Sequence, residues 1–366
     1  MKRALAALFA AALLLCLPKP AQADAVPARA AYLFEANSGR VLVAQNENAH
    51  LEMASTTKIM TALLAIESGR LDETVTVADE AAGTEGSSMY LRAGEKLKLL
   101  ELVYGLMLRS GNDAAVAIAC FLDGGIDAFA DRMNARAAQL RMRDTHFTNP
   151  NGLHDAAHYT SARDLCVLAA AALENPVFAQ IVRTRYRETG GDTPRMLKNK
   201  NRLLWEYEGG IGIKTGYTKA AGKCLVFAAE RGGLKLVGAV LNCPTMWNTA
   251  VSMLDDGFAR LKAVLFLDAR TEFSVPVKNG TKKALSAAPI SGILYPTEIG
   301  GNETFEVRAS LPPELRAPVY AGNPVGTATL YRNGEAIRSV PIVASETVEK
   351  SGFFEYLRRA VSDYLG

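Results

Sequence analysis

The sequence predicts an α+β fold followed by a small all-β module, and three observations carry that prediction. Short β-prone runs stand at both ends of roughly the first 260 residues, helical periodicity fills the stretch between them, and helical signals stop from about Leu267. The 366 residues are 49% hydrophobic and 22% charged, an ordinary globular composition too long for one small core, so one large and one smaller domain are expected.

Element by element, Lys2 and Arg3 precede an apolar run over 4–17 that ends in Ala21-Gln22-Ala23. A basic head, a short hydrophobic stretch and a small-x-small site read as a secretory signal peptide, residues 1–23. The run is short for a membrane span, Pro18 and Pro20 end any helix, and the bulky Leu15 before Cys16 argues against lipoprotein processing. Removing Lys2, Arg3 and Lys19 from the 41 basic residues leaves 38, equal to the 38 acidic ones, so no nucleic-acid partner is expected.

Residues 24–266 form the expected larger domain. Runs 31–34 and 41–44 flank Asn37-Ser38-Gly39 as a β-hairpin. Ile59, Met60, Leu63, Leu64 and Ile66 recur at helical spacing over 56–69, with Gly69 as the stop. Helical patterns over 99–109 and 113–122 are interrupted by Ser110-Gly111-Asn112, Asn149-Pro150-Asn151-Gly152 makes a loop, and 161–173 is again helical. Runs 211–215, 225–230 and 234–241 are strands, the last two joined at Arg231-Gly232-Gly233, and a helix over 247–264 closes the unit. The first and last strands are expected to meet around the inserted helical block.

Residues 267–345 read as the all-β module, with Phe273, Val275 and Val277, strands at 304–307 and 325–331, and turns at Asn279-Gly280 and Asn333-Gly334. Residues 346–366 return to a helical period. Phe353, Phe354, Leu357, Val361, Tyr364 and Leu365 share one side of it, with Arg358 and Arg359 among the polar residues, so the segment is expected to lie in a membrane interface. Packing on its own domain or self-association is the alternative. Cys120, Cys166, Cys224 and Cys243 are an even count that permits disulfides in an exported chain, with Cys224 and Cys243 on runs that look like paired strands. Buried free thiols are the plainer reading, because a chain this long needs no staples.

Three strings carry chemistry: Ser55-Thr56-Thr57-Lys58, Ser110-Gly111-Asn112 and Lys214-Thr215-Gly216. Ser55 is the only serine followed three positions later by lysine. Residues three apart share a helix face, so the Lys58 amine can reach the Ser55 hydroxyl and act as its base once neutral, with Lys214 as a cation that lowers its pKa. A helix N-terminus at Ser55 supplies free N–H groups for an oxyanion. Ser110 can relay a proton to a leaving amine and the Asn112 amide can hold a substrate carbonyl. Lys214 and Thr215 suit a substrate carboxylate, and Gly216 leaves room for a peptide along the strand. Singly, each string also reads as a helix cap, a turn or an exposed strand end.

Taken in this order, the strings resemble the signature of the penicillin-binding protein and serine β-lactamase superfamily. More narrowly, the chain is similar to the low-molecular-mass D-alanyl-D-alanine carboxypeptidases: residues 32–37, Gly152-Leu153 after Asn149-Pro150, and Leu203-Leu204-Trp205 before Lys214-Thr215-Gly216-Tyr217-Thr218 also look like that family. The resemblance spans essentially the whole mature chain. It implies a five-stranded antiparallel sheet with a helical cluster and the site between them. It also implies Ser55 as acyl-ester nucleophile, Lys58 as base, Ser110 and Asn112 as second motif, Lys214, Thr215 and Gly216 as third, and the backbone N–H groups of Ser55 and Tyr217 as oxyanion hole. A basic residue in 198–200 is a looser candidate for holding the terminal carboxylate. The implied substrates are peptidoglycan stem peptides ending in D-Ala-D-Ala, with β-lactams as covalent inhibitors, no metal or other cofactor, and a place on the outer face of the bacterial cytoplasmic membrane.

A β-lactamase shares the acylation machinery, but class A enzymes add a Glu between the second and third motifs for deacylation, and no Glu occurs between Glu101 and Glu174. A zinc peptidase built on His146, His154 and His158 lacks a His-Glu-x-x-His core. A non-catalytic cell-wall protein would keep the fold and lose the nucleophile, whereas every motif residue is present. Neither a phosphate loop nor a Gly-x-Ser-x-Gly elbow is found.

Overall fold

The structure, a computed structural model, describes residues 26–352. In chain order the first module contains β1 (Ala30–Glu35), β2 (Val41–Gln45), α1 (Lys58–Glu67), β3 (Thr74–Thr76), β4 (Lys96–Lys98), α2 (Leu99–Tyr104), α3 (Asn112–Asp123), α4 (Ile126–Gln139), α5 (Ala162–Glu174) and α6 (Pro176–Arg183). There follow β5 (Tyr186–Glu188), β6 (Met196–Lys198), α7 (Leu203–Glu206), β7 (Gly210–Thr218), β8 (Gly222–Arg231), β9 (Leu234–Leu241) and α8 (Met246–Arg260). Local chemistry fixes several ends. The Ser161 hydroxyl accepts from the Asp164 N–H as N-cap of α5, and Asn175 caps α6 with Pro176 in its first turn.

Among the described residues, the central sheet has the antiparallel order β2-β1-β9-β8-β7, so the first and last strands do meet, as Tyr32 opposite Ala239. Both faces are covered. Val226, Ala228, Val237 and Ala239 point into the helical cluster, while Leu225, Phe227, Leu236 and Val240 point at α8. That double burial is why these strands read as near-continuous apolar runs. It leaves β7 at the sheet edge, facing the helical cluster's first turn, and this is where the motifs assemble.

The second module contains β10 (Leu261–Leu267), β11 (Phe273–Lys278), β12 (Ala284–Pro289), β13 (Ile293–Glu298), β14 (Phe305–Ser310), β15 (Leu315–Arg316), β16 (Pro324–Arg332) and β17 (Glu335–Ala344). Its larger sheet runs β14-β16-β17-β12-β11-β15, with β10 and β13 as a separate pair around a shared apolar core. Asn333 and Gly334 both have positive φ, 51° and 86°, the geometry a two-residue hairpin turn demands, and they join β16 to β17. Asn279 and Gly280 instead open a five-residue link between β11 and β12.

Two expectations change. The helix expected over 247–264 ends at Arg260, because Leu261–Leu267 pairs with Ile293–Glu298 and is extended. Of the helix expected over 346–366, the part described is extended too: Val348 bridges Val319 and Lys350 bridges Gly280, while residues 353–366 lie outside the described residues, as does the 1–23 leader. The four described cysteines are free, and Cys224 and Cys243 cannot pair across the sheet because their side chains enter cores on opposite faces. Where the modules meet, Arg40 of the β1–β2 turn binds Glu298 at 3.3 Å and Glu303 at 2.5 Å, and Arg260 reaches Glu298 at 3.4 Å.

Candidate active site

Ser55 lies in the 3₁₀ turn Ala54–Thr57, and the α-helix proper begins only at Lys58, later than the sequence implied. The turn is pinned by its own hydroxyls: Thr56 Oγ1 donates to Met53 O at 2.7 Å and Thr57 Oγ1 to Ala54 O at 2.9 Å. Ala54 has φ 48°, a left-handed conformation that costs a non-glycine residue energy and turns the chain sharply just before the serine.

Lys58 is fully buried, and its Nζ is 2.9 Å from Ser55 Oγ, 2.7 Å from Asn112 Oδ1 and 2.5 Å from Asn151 O. A neutral amine has two hydrogens and one lone pair. Asn112 and Asn151 offer only acceptors to it, so they take the two hydrogens and the lone pair is left for the Ser55 hydroxyl proton. Burial, and after it the Lys214 cation, holds the Lys58 amine well below the usual lysine range, with Asp113 pulling the other way. The arrangement is therefore that of a hydroxyl beside a lysine base.

Lys214, 2% exposed, donates to Ser110 Oγ and Thr215 O, each at 2.9 Å. Burial first, then the neighbouring Lys200 cation, lowers its pKa to about 7. Ser110 follows the π-helical turn Gly105–Arg109 and has φ 64°, which redirects the chain between α2 and α3 and sets the hydroxyl against Lys214. The Asn112 amide is fixed at both ends, since its Nδ2 donates to Glu85 O at 2.6 Å while its Oδ1 accepts from Lys58.

Gly216 meets a requirement that its sequence position did not suggest. A Cβ there would meet Met53 O at 2.8 Å and Ser55 N at 3.2 Å, so the missing side chain admits the backbone of the nucleophile turn itself. The Tyr217 side chain is 66% exposed. Ser55, Lys58 and Asn112 are thus brought into one hydrogen-bonded group, Ser110 and Lys214 into a second, and Thr215 and Gly216 lie alongside on β7.

Several supporting residues were not singled out by the motifs. Asp113, 1% exposed, accepts from Ser88 Oγ at 2.6 Å and from the N–H groups of Met89 and Leu91, tying the 85–91 loop over the site. The only trace of this in the sequence is an acid following Asn112 in the first turn of a helix. Gly152, with φ 85°, packs so closely that a Cβ would lie 1.9 Å from Ala54 O, and Thr61 Oγ1 holds Pro150 O at 2.6 Å. The 149–153 loop is thereby clamped beneath the serine, which delivers Asn151 O to Lys58.

His158 completes the support. The Thr148 N–H donates to Nδ1 at 3.0 Å, which fixes the proton on Nε2, and Nε2–H then donates to Thr57 Oγ1 at 2.8 Å. Burial lowers its pKa to about 4. The zinc alternative is overturned by the same contacts: His154 pairs with Glu52, His146 Nδ1 with Ala157 O and His158 with Thr57, so the three rings do not converge. Among the described residues no cluster of metal-ligating side chains occurs.

Comparison with known proteins agrees with this geometry. The family model described as D-alanyl-D-alanine carboxypeptidase matches residues 18–245, and that described as penicillin-binding protein 5, C-terminal domain, matches residues 265–350. D-alanyl-D-alanine carboxypeptidase DacF of Bacillus subtilis is 33% identical over 351 residues, covering 92% of this chain and 90% of the relative. D-alanyl-D-alanine carboxypeptidase DacB2 of Mycobacterium tuberculosis is 40% identical over 243 residues, covering 64% of this chain and 83% of the relative. Among solved structures, penicillin binding protein 5 from Haemophilus influenzae superposes with a TM-score of 0.67 at 27% identity, covering 91% of this chain and all of that one. Sequence match, fold and motif geometry coincide, and the chain belongs to the D-alanyl-D-alanine carboxypeptidase family.

Proposed function

We propose that this chain is a serine D,D-carboxypeptidase that removes the terminal D-alanine from peptidoglycan stem peptides ending in D-Ala-D-Ala, and that β-lactams acylate the same serine. The observation that carries the reading is the buried Lys58 Nζ, 2.9 Å from Ser55 Oγ with two further acceptors around it. Ser55 attacks the carbonyl of the penultimate D-alanine as its proton passes to Lys58. The backbone N–H groups of Ser55 and Tyr217 receive the oxyanion. Ser110, held by Lys214, relays that proton from Lys58 to the leaving amine, so that the C–N bond breaks, D-alanine departs and Lys58 is again neutral. Water then cleaves the ester and returns Ser55 to its starting state.

Asn112 orients Lys58 and the substrate carbonyl. Lys214 and Thr215, with Lys200, whose charge acts on Lys214, hold the terminal carboxylate. Residues 24–260 carry the catalysis and 261–352 form a module that spaces it from the membrane, with 1–23 as export signal and 353–366 as peripheral anchor on the outer face of the cytoplasmic membrane. The β-module presents no catalytic constellation of its own.

The test is D-alanine release from diacetyl-L-Lys-D-Ala-D-Ala by the mature chain and by Ser55→Ala. Release by the wild type alone supports the reading, and release by both, or by neither, overturns it. Binding of the mature chain, with and without residues 353–366, to vesicles containing anionic lipid tests the anchor, and equal binding of the two forms contradicts it.

A further inference from the structure

A cleft of about 540 Å³ opens beside the carboxylate end of the site, within the size range of small-ligand clefts, roughly 300–1,000 Å³. Asn199 and Lys200 line both this cleft and a small cavity bounded by Ser110, Lys214 and Thr215, so the two adjoin across these two residues. Lys200, whose charge acts on Lys214, thus faces the site on one side and the cleft on the other.

Its charge is one-sided. Arg202 is neutralised by Glu206, with contacts at 2.7–3.1 Å. Among the described residues, Arg109, Lys198 and Lys200 form no ion pair. Lys198 Nζ sits 5.2 Å from the Trp205 ring, which forms an apolar wall 37% exposed. Arg109 stands immediately before Ser110, and its field, after burial, depresses the Lys200 amine. A terminal carboxylate needs the cations at Lys214 and Lys200. Arg109 and Lys198 also line the cleft and leave positive charge for a second anion.

Resting on the carboxypeptidase reading above, we propose that this cleft is a leaving-group subsite that accepts a D-amino acid larger than alanine carrying a second carboxylate on its side chain. The covalent chemistry is unchanged. The Ser55 oxygen bonds to the D-alanyl carbonyl carbon, the C–N bond breaks, the serine proton ends on the leaving amine, and water later hydrolyses the ester. What the cleft adds is selection among leaving groups: the α-carboxylate takes the same cations as that of D-alanine, while the side-chain carboxylate extends past Lys200 toward Arg109.

The experiment compares diacetyl-L-Lys-D-Ala-D-Xaa peptides with Xaa as Ala, Glu or Lys, following release of the last residue. The wild type is expected to favour D-Glu over D-Lys by about tenfold in kcat/KM, the size of one modest charge contact. Arg109→Glu is expected to reverse that order, with the change in KM more than in kcat. Equal release of D-Glu and D-Lys by the wild type, or a ratio unmoved by Arg109→Glu while D-Ala is still released, overturns the subsite. Failure to release D-Ala from any peptide overturns the carboxypeptidase reading instead, so the two failures are distinct.

Discussion

The two modules treat burial in opposite ways. The first hides Lys58, Lys214, Asp113, Asn112, Asn151 and His158 beneath its surface, whereas the buried polar side chain of the second is Thr297 alone among the described residues, in a core of aliphatic and aromatic side chains. Charges in the β-module stand outside in exposed pairs such as Arg308–Glu306 and Arg270–Asp268. Burying an amine is costly unless it is surrounded by acceptors, and it is worthwhile where a neutral lysine is needed as a base. The difference teaches that the first module spends part of its stability on chemistry, while the second is built for shape.

The largest expected effect breaks the chemical side of the contrast. Lys58→Met should lower acylation by benzylpenicillin about 10³-fold while leaving the circular dichroism spectrum intact, because the base is lost and the fold is not. Next, Gly152→Ala should cost about 4 kcal/mol in urea unfolding, since its Cβ would lie 1.9 Å from Ala54 O and φ is 85°. In the other module, Leu330→Ala empties a fully buried position and should cost about 3 kcal/mol in unfolding of the β-module, yet leave D-alanine release unchanged. Loss of release with Leu330→Ala would mean that the modules are not chemically separate.

Two smaller effects are read against pH. The folded pKa of His158, about 4, lies below the ordinary imidazole value, so the unfolded chain binds the extra proton first and stability falls as pH drops from about 6.5 towards 4. Between pH 6.5 and pH 5 the loss should be about 2 kcal/mol, and His158→Asn should flatten it. Lys214 loses its proton at about 7 in the free protein, so kcat/KM for an anionic peptide should decline above that pH. Lys200→Gln removes a repelling cation and should move the decline to higher pH.

The fold was legible wherever local chemistry determined it. Alternating and continuous apolar runs placed β1, β8 and β9, Ser161 marked the start of α5, and Asn333-Gly334 marked the hairpin that closes β16 on β17. Strand β10 was hidden because Leu261–Leu267 continues the apolar spacing of α8, and only its partner Ile293–Glu298, some 30 residues on, makes it extended. Likewise Val348 and Lys350 are bridged to residues far away in sequence. In the site, the motifs supplied Ser55, Lys58, Ser110, Asn112 and Lys214, because each carries a recognisable side chain. Asn151 escaped as a lysine partner because it acts through its carbonyl, and every residue has one. His158 and Gly152 escaped because their importance lies in contact with Thr57 and Ala54, which one sequence does not reveal.

The most direct measurement of the central claim is the intact mass of the mature chain after exposure to benzylpenicillin, followed by peptide mapping. The account predicts one covalent adduct per chain, located on Ser55 and absent from Ser55→Ala. An adduct elsewhere, or one that persists in Ser55→Ala, would contradict it.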